Sequence, residues 1–522
     1  MTEAQTPQQS PIEAAVAPGY QFQGAALELG GLMVDATTLT GTHIRIPLAM
    51  LNRHGLVAGA TGTGKTKTLQ LLAEQISAAG VPVFAADIKG DLSGLAVPGA
   101  ASDKLTERAT SVGQDWQAKG FPVEYFALGG QGTGVPIRVT VSAFGPLLLS
   151  RVLGLNETQE SSLGLVFHYA DQAGLPLLDL ADLRAVVQHL TSDEGKADLK
   201  ELGGLSSATA GVILRELIAF GDQGADAFFG EPEFASADLL AVTPEGKGVI
   251  NLVELPNLQD KPAVFSTFLM WLLADLFHDL PEVGDADKPK LVFFFDEAHL
   301  LFHDASKDFL DQVAQTVRLI RSKGVGVFFV TQSPTDVPDD VLGQLASRVQ
   351  HQLRAHTPND AKALKATVST YPNSAYADLG AVITGLGIGE AIVTVMDERG
   401  APTPVAWTRL RAPESLMGPN TADAMAAAVQ ASPLDAKYGQ VVDRESAREI
   451  LAKKLEEGAA KAQEAPAGAP APATPAPAPA GPSRGEQAGE LVMNVVKSSA
   501  FKQFMRTAAS EVARGMFKTG RR

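Results

Sequence analysis

Glycines at 59, 62 and 64, followed at once by Lys65 and Thr66, form the run GATGTGKT at residues 59–66. Glycines at that spacing let successive backbone N–H groups converge on phosphate oxygens. A lysine at the end of such a run reaches the β and γ phosphates, and the hydroxyl beside it ligates Mg²⁺. The run predicts an ATP·Mg²⁺ site in which Gly59, Ala60, Thr61, Gly62, Thr63, Gly64, Lys65, Thr66 and Lys67 hold the nucleotide and Thr66 touches the metal. A second signal is KLVFFFDEAH, where large apolar residues deliver Asp296 and Glu297 to the carboxyl end of a strand, the place where α/β sheets bind their ligands. Asp296 is expected to hold the metal directly or through water, and Glu297 to act as the general base on the water that attacks the γ phosphate. The bland alternative, a capped helix start after a core strand, is outweighed by the glycine loop upstream. For His299 a structural or supporting role stands beside a catalytic one.

Further residues follow from the same geometry. Gln332 ends the apolar run VGVFFVTQ, where a polar side chain at the strand's carboxyl edge reaches toward the γ phosphate or the water. Arg321 falls in the turn before that run. It reads either as an arginine finger projected into a neighbouring subunit or, with Arg318 and Lys323, as favourable charge at a helix C-terminus. In ADIKGD, Asp87 and Asp91 either orient water or Mg²⁺ or cap the turn that follows. GGQGTGVP, residues 129–136, opens no helix and reads as a flexible loop rather than a second phosphate site.

These side chains need a frame. HGLVAG is a short apolar strand, residues 65–80 place Leu69, Leu72, Ala73 and Ile76 at helical spacing, and VPVFAAD is again a buried-type strand. Strand, glycine loop, helix and strand make a βαβ unit with a parallel pair. The fold class is therefore α/β, a mostly parallel sheet of the P-loop NTPase type flanked by helices. The reading along the chain is a disordered leader at 1–19, a first ATPase segment at 20–104, a largely helical insertion at 105–248 and a second ATPase segment at 249–413. A helical extension follows at 414–458, then a Pro/Ala-rich linker at 459–485, which cannot bury a core. Residues 486–522 close the chain as a basic amphipathic helix, with Val492, Val496, Phe504, Val512 and Met516 on one face and Lys502, Arg506 and Arg514 mostly off it.

Composition sets the outer limits. A chain of 522 residues with 45% hydrophobic and 20% charged residues has the make-up of a globular protein of more than one segment. The absence of cysteine excludes disulfides, thiolate metal sites and cysteine nucleophiles, and fits a reducing cytoplasm. The N-terminus lacks the pattern of a signal peptide, and no apolar run approaches the roughly 20 residues a membrane span needs. A net charge of −16 argues against a generally basic nucleic-acid-coating surface, so any DNA contact must be local.

Taken in order, RHGLVAGATGTGKT, ADIKGD, KLVFFFDEAHLL, RSKGVGVFFVTQSPTDVPDDVLGQLASRVQ and GEAIVTV resemble the HerA/FtsK superfamily of ring-forming P-loop motors, and most closely its bacterial HerA-like ATPases. The resemblance spans about residues 26–413. It implies a strand-end glutamine sensor at Gln332 and an arginine acting in trans at Arg321, three residues before Gly324. It also implies homo-oligomers, hexamers favoured, that translocate double-stranded DNA. The competing expectation is an ATPase that energises or remodels a protein assembly, with the basic tail on a partner protein, on DNA or on the anionic inner face of a membrane. A nucleotide-binding scaffold without turnover is disfavoured by the presence of Glu297.

Overall fold

The computed structural model describes residues 10–199, 203–255, 262–284, 286–302, 307–372 and 374–464. Chain contacts divide it into two units, Met1–Gln188 with Ser207–Ile450, and His189–Ser206 with Leu451–Arg522. Within the second, a short helix at Gly195–Asp198 carries Asp198, whose Oδ2 lies 3.5 Å from His189 Nε2. The first unit holds the sheet.

Among the described residues the sheet has twelve strands. They are β1 (Ala26–Val34), β2 (Thr37–Pro47), β3 (Gly55–Ala58), β4 (Val83–Asp87), β5 (Val123–Leu128), β6 (Val135–Ile137), β7 (Ile250–Glu254), β8 (Leu291–Phe295), β9 (Val325–Thr331), β10 (Ser347–Gln350), β11 (Glu390–Thr394) and β12 (Ala406–Leu410). Their spatial order is β2-β1-β12-β11-β10-β3-β9-β8-β4-β7-β5-β6. From β10 to β6 every pairing is parallel, whereas β11, β12, β1 and β2 extend one flank as antiparallel neighbours.

The sequence explains the difference between flank and centre. β4, β8 and β9 are buried at every position and read as unbroken apolar runs, as strands covered on both faces must. β2 instead turns from exposed to alternately buried along its length. On one face Val57, Val83, Ala85, Val292, Phe294, Phe328 and Val330 pack with Leu69, Leu72, Ala73 and Ile76 of the helix Lys65–Ala78, called here the phosphate helix. The opposite face is aromatic. Phe84 stacks on Phe293 at 4.8 Å between centroids and meets Phe268 of the helix Pro262–Asp279, whose Trp271 contacts Phe228. Each fully buried large side chain contributes about 1.5–3 kcal/mol, so these two layers anchor the strand ends that carry the chemistry.

Three expectations need correction. The leader is not disordered throughout: Pro11–Val16 is a helix capped by Ser10, Val16 and Tyr20 are buried, and the Tyr20 hydroxyl donates to Val393 O and Pro404 O at 2.9 and 2.7 Å. Six residues are too few to show a helical period, but buried Val16 within them and buried Tyr20 just after them tie the segment to the sheet. The stretch at 105–248, expected to be a largely helical insertion, also supplies two strands of the main sheet: VEYFAL and VPI form β5 beside β7 and β6 beside β5. The helix Ala447–Glu464 also runs past the expected linker start at 459. The rest of that linker and the basic helix at 486–522 lie outside the described residues. Among the described residues no helix is long and apolar enough to cross a membrane.

Candidate nucleotide site

β3 ends at Ala58, the phosphate helix begins at Lys65, and the six residues between them are held from both sides. Gly59 N–H donates to Thr331 O at 3.2 Å and Ala60 N–H to Gln352 O at 2.8 Å, so β9 and the segment after β10 frame the loop. Gly64 has φ 114°, a conformation that glycine alone adopts without strain, and a Cβ on Gly59 would stand 2.4 Å from His351 Cβ. Lys65 Nζ folds back over the loop, donating to Gly59 O at 2.6 Å and Ala60 O at 3.2 Å. Burial pushes its pKa down, while Glu297 and Asp296 pull the other way. Thr61 and Gly62 are exposed at the tip, and half-buried Lys67 donates to Gln70 Oε1 at 3.3 Å.

Asp296 and Glu297 follow β8, beside β4 and β9. Asp296 is buried and accepts the Glu297 N–H at 2.9 Å. Burial first, and the Glu297 charge second, push its carboxyl up to about 6. Burial would push Glu297 up too, but the hydrogen bond and charge of Lys89 outweigh it and hold the carboxyl below its ordinary value. The other oxygen, Oε2, is buried and 3.3 Å from His299 Nδ1, though not hydrogen-bonded to it. Two adjacent buried carboxylates near Lys65 and the start of the phosphate helix fit a hard divalent cation. Thr66 Oγ1 and Asp296 would hold Mg²⁺, with nucleotide oxygens and water completing the shell. Among the described residues no group of three or more His, Asp or Glu side chains could hold a metal ion.

The other expected residues separate. Gln332 follows β9 directly and is exposed at the carboxyl edge beside the glycine loop. Its turn is locked by Asp336, whose Oδ2 accepts the Thr331 hydroxyl at 2.7 Å and the Ser333 N–H at 2.8 Å. Arg321 lies in the turn Arg321–Lys323 that enters β9, at the amino edge of the sheet. Within one chain it is therefore not brought to the site. Asp87 caps its turn, accepting Lys89, Gly90 and Leu92 N–H groups at 3.2, 2.8 and 2.7 Å. Asp91 makes itself felt by its charge, on Lys67 and Lys89. Of the run expected to be a loop at 129–136, residues 129–134 connect β5 to β6 and Val135 and Pro136 already belong to β6.

Sequence reasoning missed four residues. Lys89 sits between the two aspartates of ADIKGD and pairs with Glu297. His351 Nε2 pairs with the Thr68 hydroxyl at 2.8 Å, and burial pushes this imidazole down to about 3, so it is neutral. Arg354 donates to Thr61 O at 3.3 Å, bringing a cation to the loop tip. Arg108 donates to Ile388 O at 2.8 Å and to Gly389 O and Leu410 O at 3.2 Å. ADIKGD was visible as a motif but was read for its carboxylates; the other three carry no local signal.

Comparison with known proteins bears on the fold and the family. In fold, the chain is similar to the plasmid coupling protein TrwB in complex with ADP and Mg²⁺, at 17% identity, with 77% of this chain and 100% of that chain covered and a TM-score of 0.50. TrwB in complex with the non-hydrolysable GTP analogue GDPNP gives the same 17%, 77%, 100% and 0.50. VirB4 of Thermoanaerobacter pseudethanolicus matches at 13% identity over 75% of this chain and 97% of that chain, with a TM-score of 0.48. No curated protein matches the chain in sequence. The family model for the helicase HerA-like C-terminal domain matches residues 33–522. That match covers most of the chain, so the chain belongs to the helicase HerA-like C-terminal family and is a P-loop ATPase.

Proposed function

We propose that this protein is an ATP-driven motor acting on double-stranded DNA, with its nucleotide sites completed between subunits of a ring, a hexamer being the favoured form. The observation that carries this reading is the division of the machinery between two edges of one sheet. Lys65, Asp296, Glu297 and Gln332 stand at the carboxyl edge and Arg321 at the amino edge, so Arg321 serves a phosphate only if that phosphate belongs to another subunit. The family's helicase description and the fold shared with a plasmid coupling protein support the DNA reading.

In this mechanism Lys65 and the loop N–H groups orient the β and γ phosphates. Thr66 and Asp296 would hold Mg²⁺, whose charge would screen the one that develops on the phosphates. Glu297 accepts a proton from the attacking water, Gln332 orients that water, and Arg321 from a neighbouring subunit stabilises the charge on the transferred group. The resulting motion is passed to the substrate from a cytoplasmic position.

A second reading is favoured by one observation, the net charge of −16, which does not advertise a phosphate-coating surface. On it the same engine energises a protein assembly, at the inner face of a membrane when the basic C-terminal segment engages anionic lipid. The deciding experiment is ATP hydrolysis by the full chain with and without linear duplex DNA, at low and physiological salt, with Lys65→Ala as the inactive control. Stimulation that Lys65→Ala abolishes supports the DNA motor; hydrolysis indifferent to DNA at both salts overturns it in favour of the protein-assembly reading.

A further inference from the structure

A general base must present a carboxylate lone pair to water, and in Glu297 one oxygen is paired while the other is buried. Its Oε1 is taken by the Lys89 ammonium in a close ion pair. Its Oε2 is buried and makes no hydrogen bond. The residue also has φ 48°, a strained backbone for a side chain of this kind, so the turn after β8 fixes where the carboxylate points.

The partner is held as firmly at its backbone and loosely at its tip. Asp87, buried at the end of β4, gathers three N–H groups of the turn that carries Lys89, and Gly90 at φ 75° completes that turn. β4 and β8 are direct parallel neighbours, which sets the two turns side by side. Yet the Lys89 side chain is 42% exposed and that of Glu297 only 8%. The lysine is the member of the pair that can leave, toward solvent and toward any anion arriving there.

We infer that Lys89 is a positioning residue that restrains the base: in the resting ATPase it holds Glu297 away from the hydrolytic water, and hydrolysis proceeds fully once an arriving phosphate group draws Lys89 off. No bond is made or broken in this step; an ammonium exchanges one oxyanion partner for another. The restraint rests on the role given to Glu297 above. Its release has two sources of the same chemistry, the γ phosphate of bound nucleotide and the backbone of a polynucleotide.

The test compares full-length wild type, Lys89→Ala, Lys89→Arg, Glu297→Gln and the Lys89→Ala/Glu297→Gln double variant. Without DNA, Lys89→Ala is expected to raise kcat about tenfold with KM for ATP little changed, the lower end of the scale for one lost charge-assisted hydrogen bond, while Lys89→Arg stays near wild type. In the Glu297→Gln background, Lys89→Ala is expected to change nothing, because the effect runs through Glu297. An unstimulated kcat that is unchanged or lower in Lys89→Ala overturns the restraint. If DNA stimulates wild type but no longer stimulates Lys89→Ala, the polynucleotide is the releasing phosphate; if it stimulates both by the same factor, or neither, nucleotide releases the base. Failure of the DNA motor reading appears in wild type alone, and so is separate from failure of the restraint, which appears in the ratio between wild type and variant.

Discussion

The N–H of Gly389 donates to the carbonyl of Thr63 at 3.0 Å, which fastens the turn before β11 to the middle of the phosphate loop. Arg108 holds that turn through the carbonyls of Ile388 and Gly389 and ties it to the Leu410 carbonyl at the end of β12. Arg108→Ala removes a shared donor from these carbonyls, of which Gly389 O keeps the Leu410 N–H at 3.0 Å, and is expected to cost about 1–3 kcal/mol in denaturant unfolding. ATP affinity should weaken several-fold with little change in kcat, which steady-state kinetics will separate.

Lys65 and Glu297 should fail differently. Lys65→Ala is expected to lose ATP binding as well as turnover. Glu297→Gln should retain binding and lose hydrolysis by about 100-fold or more, the usual worth of a general base. Fluorescent-nucleotide titration beside phosphate-release kinetics distinguishes the two.

Arg321 stands at the opposite sheet edge from the glycine loop, so its loss should be repairable by mixing. Arg321→Ala alone is expected to lower kcat by about a thousandfold, in the range of an arginine finger. Mixed with Glu297→Gln subunits, which keep their arginine, it should recover measurable hydrolysis. Absence of any recovery across mixing ratios in assemblies shown to be mixed would exclude action in trans.

Glu74, on the phosphate helix, is buried beneath the segment at 412–420 and accepts the N–H groups of Glu414 and Ser415 at 2.8 and 3.0 Å, together with the Ser415 hydroxyl. Burial outweighs these bonds and pushes its carboxyl up from 4.5 to about 7. The folded state thus holds this proton more tightly than the unfolded chain does. The contribution is fully present below about 4.5 and is lost as pH rises through about 7. At roughly 1.4 kcal/mol per pKa unit this amounts to up to about 3 kcal/mol. Raising pH from 6 to 8 should therefore lower Tm more in wild type than in Glu74→Gln, a difference that calorimetry across that range will read.

How much of this was legible beforehand follows from distance along the chain. Strand, glycine loop and helix at residues 55–78 are contiguous, so local apolar spacing was enough to place them. The run LVFFF announced a strand covered on both faces because every position is apolar. β5 and β6 were missed because β5 depends on pairing with β7, which lies beyond the whole helical insertion, and the three-residue β6 depends on β5. Lys89 and Glu297 meet only because β4 and β8 are neighbours in space. A sequence displays one lysine between two aspartates, and its partner is supplied by the fold. The same holds for His351 and Arg354, which reach the phosphate loop because β10 lies against β3.

The position of β3 between β9 and β10 also bears on how the chain acquires its shape during synthesis. The four-residue strand that carries the phosphate loop emerges early from the ribosome, yet neither of its ladder partners exists until Val325–Thr331 and Ser347–Gln350 have been made. Pairing across such a separation is slow, and until it happens the nascent strand is an unpaired apolar edge. The nucleotide pocket is thus among the last parts of the sheet to close, and an interrupted translation product ending before β9 would expose its apolar centre to chaperones and proteases.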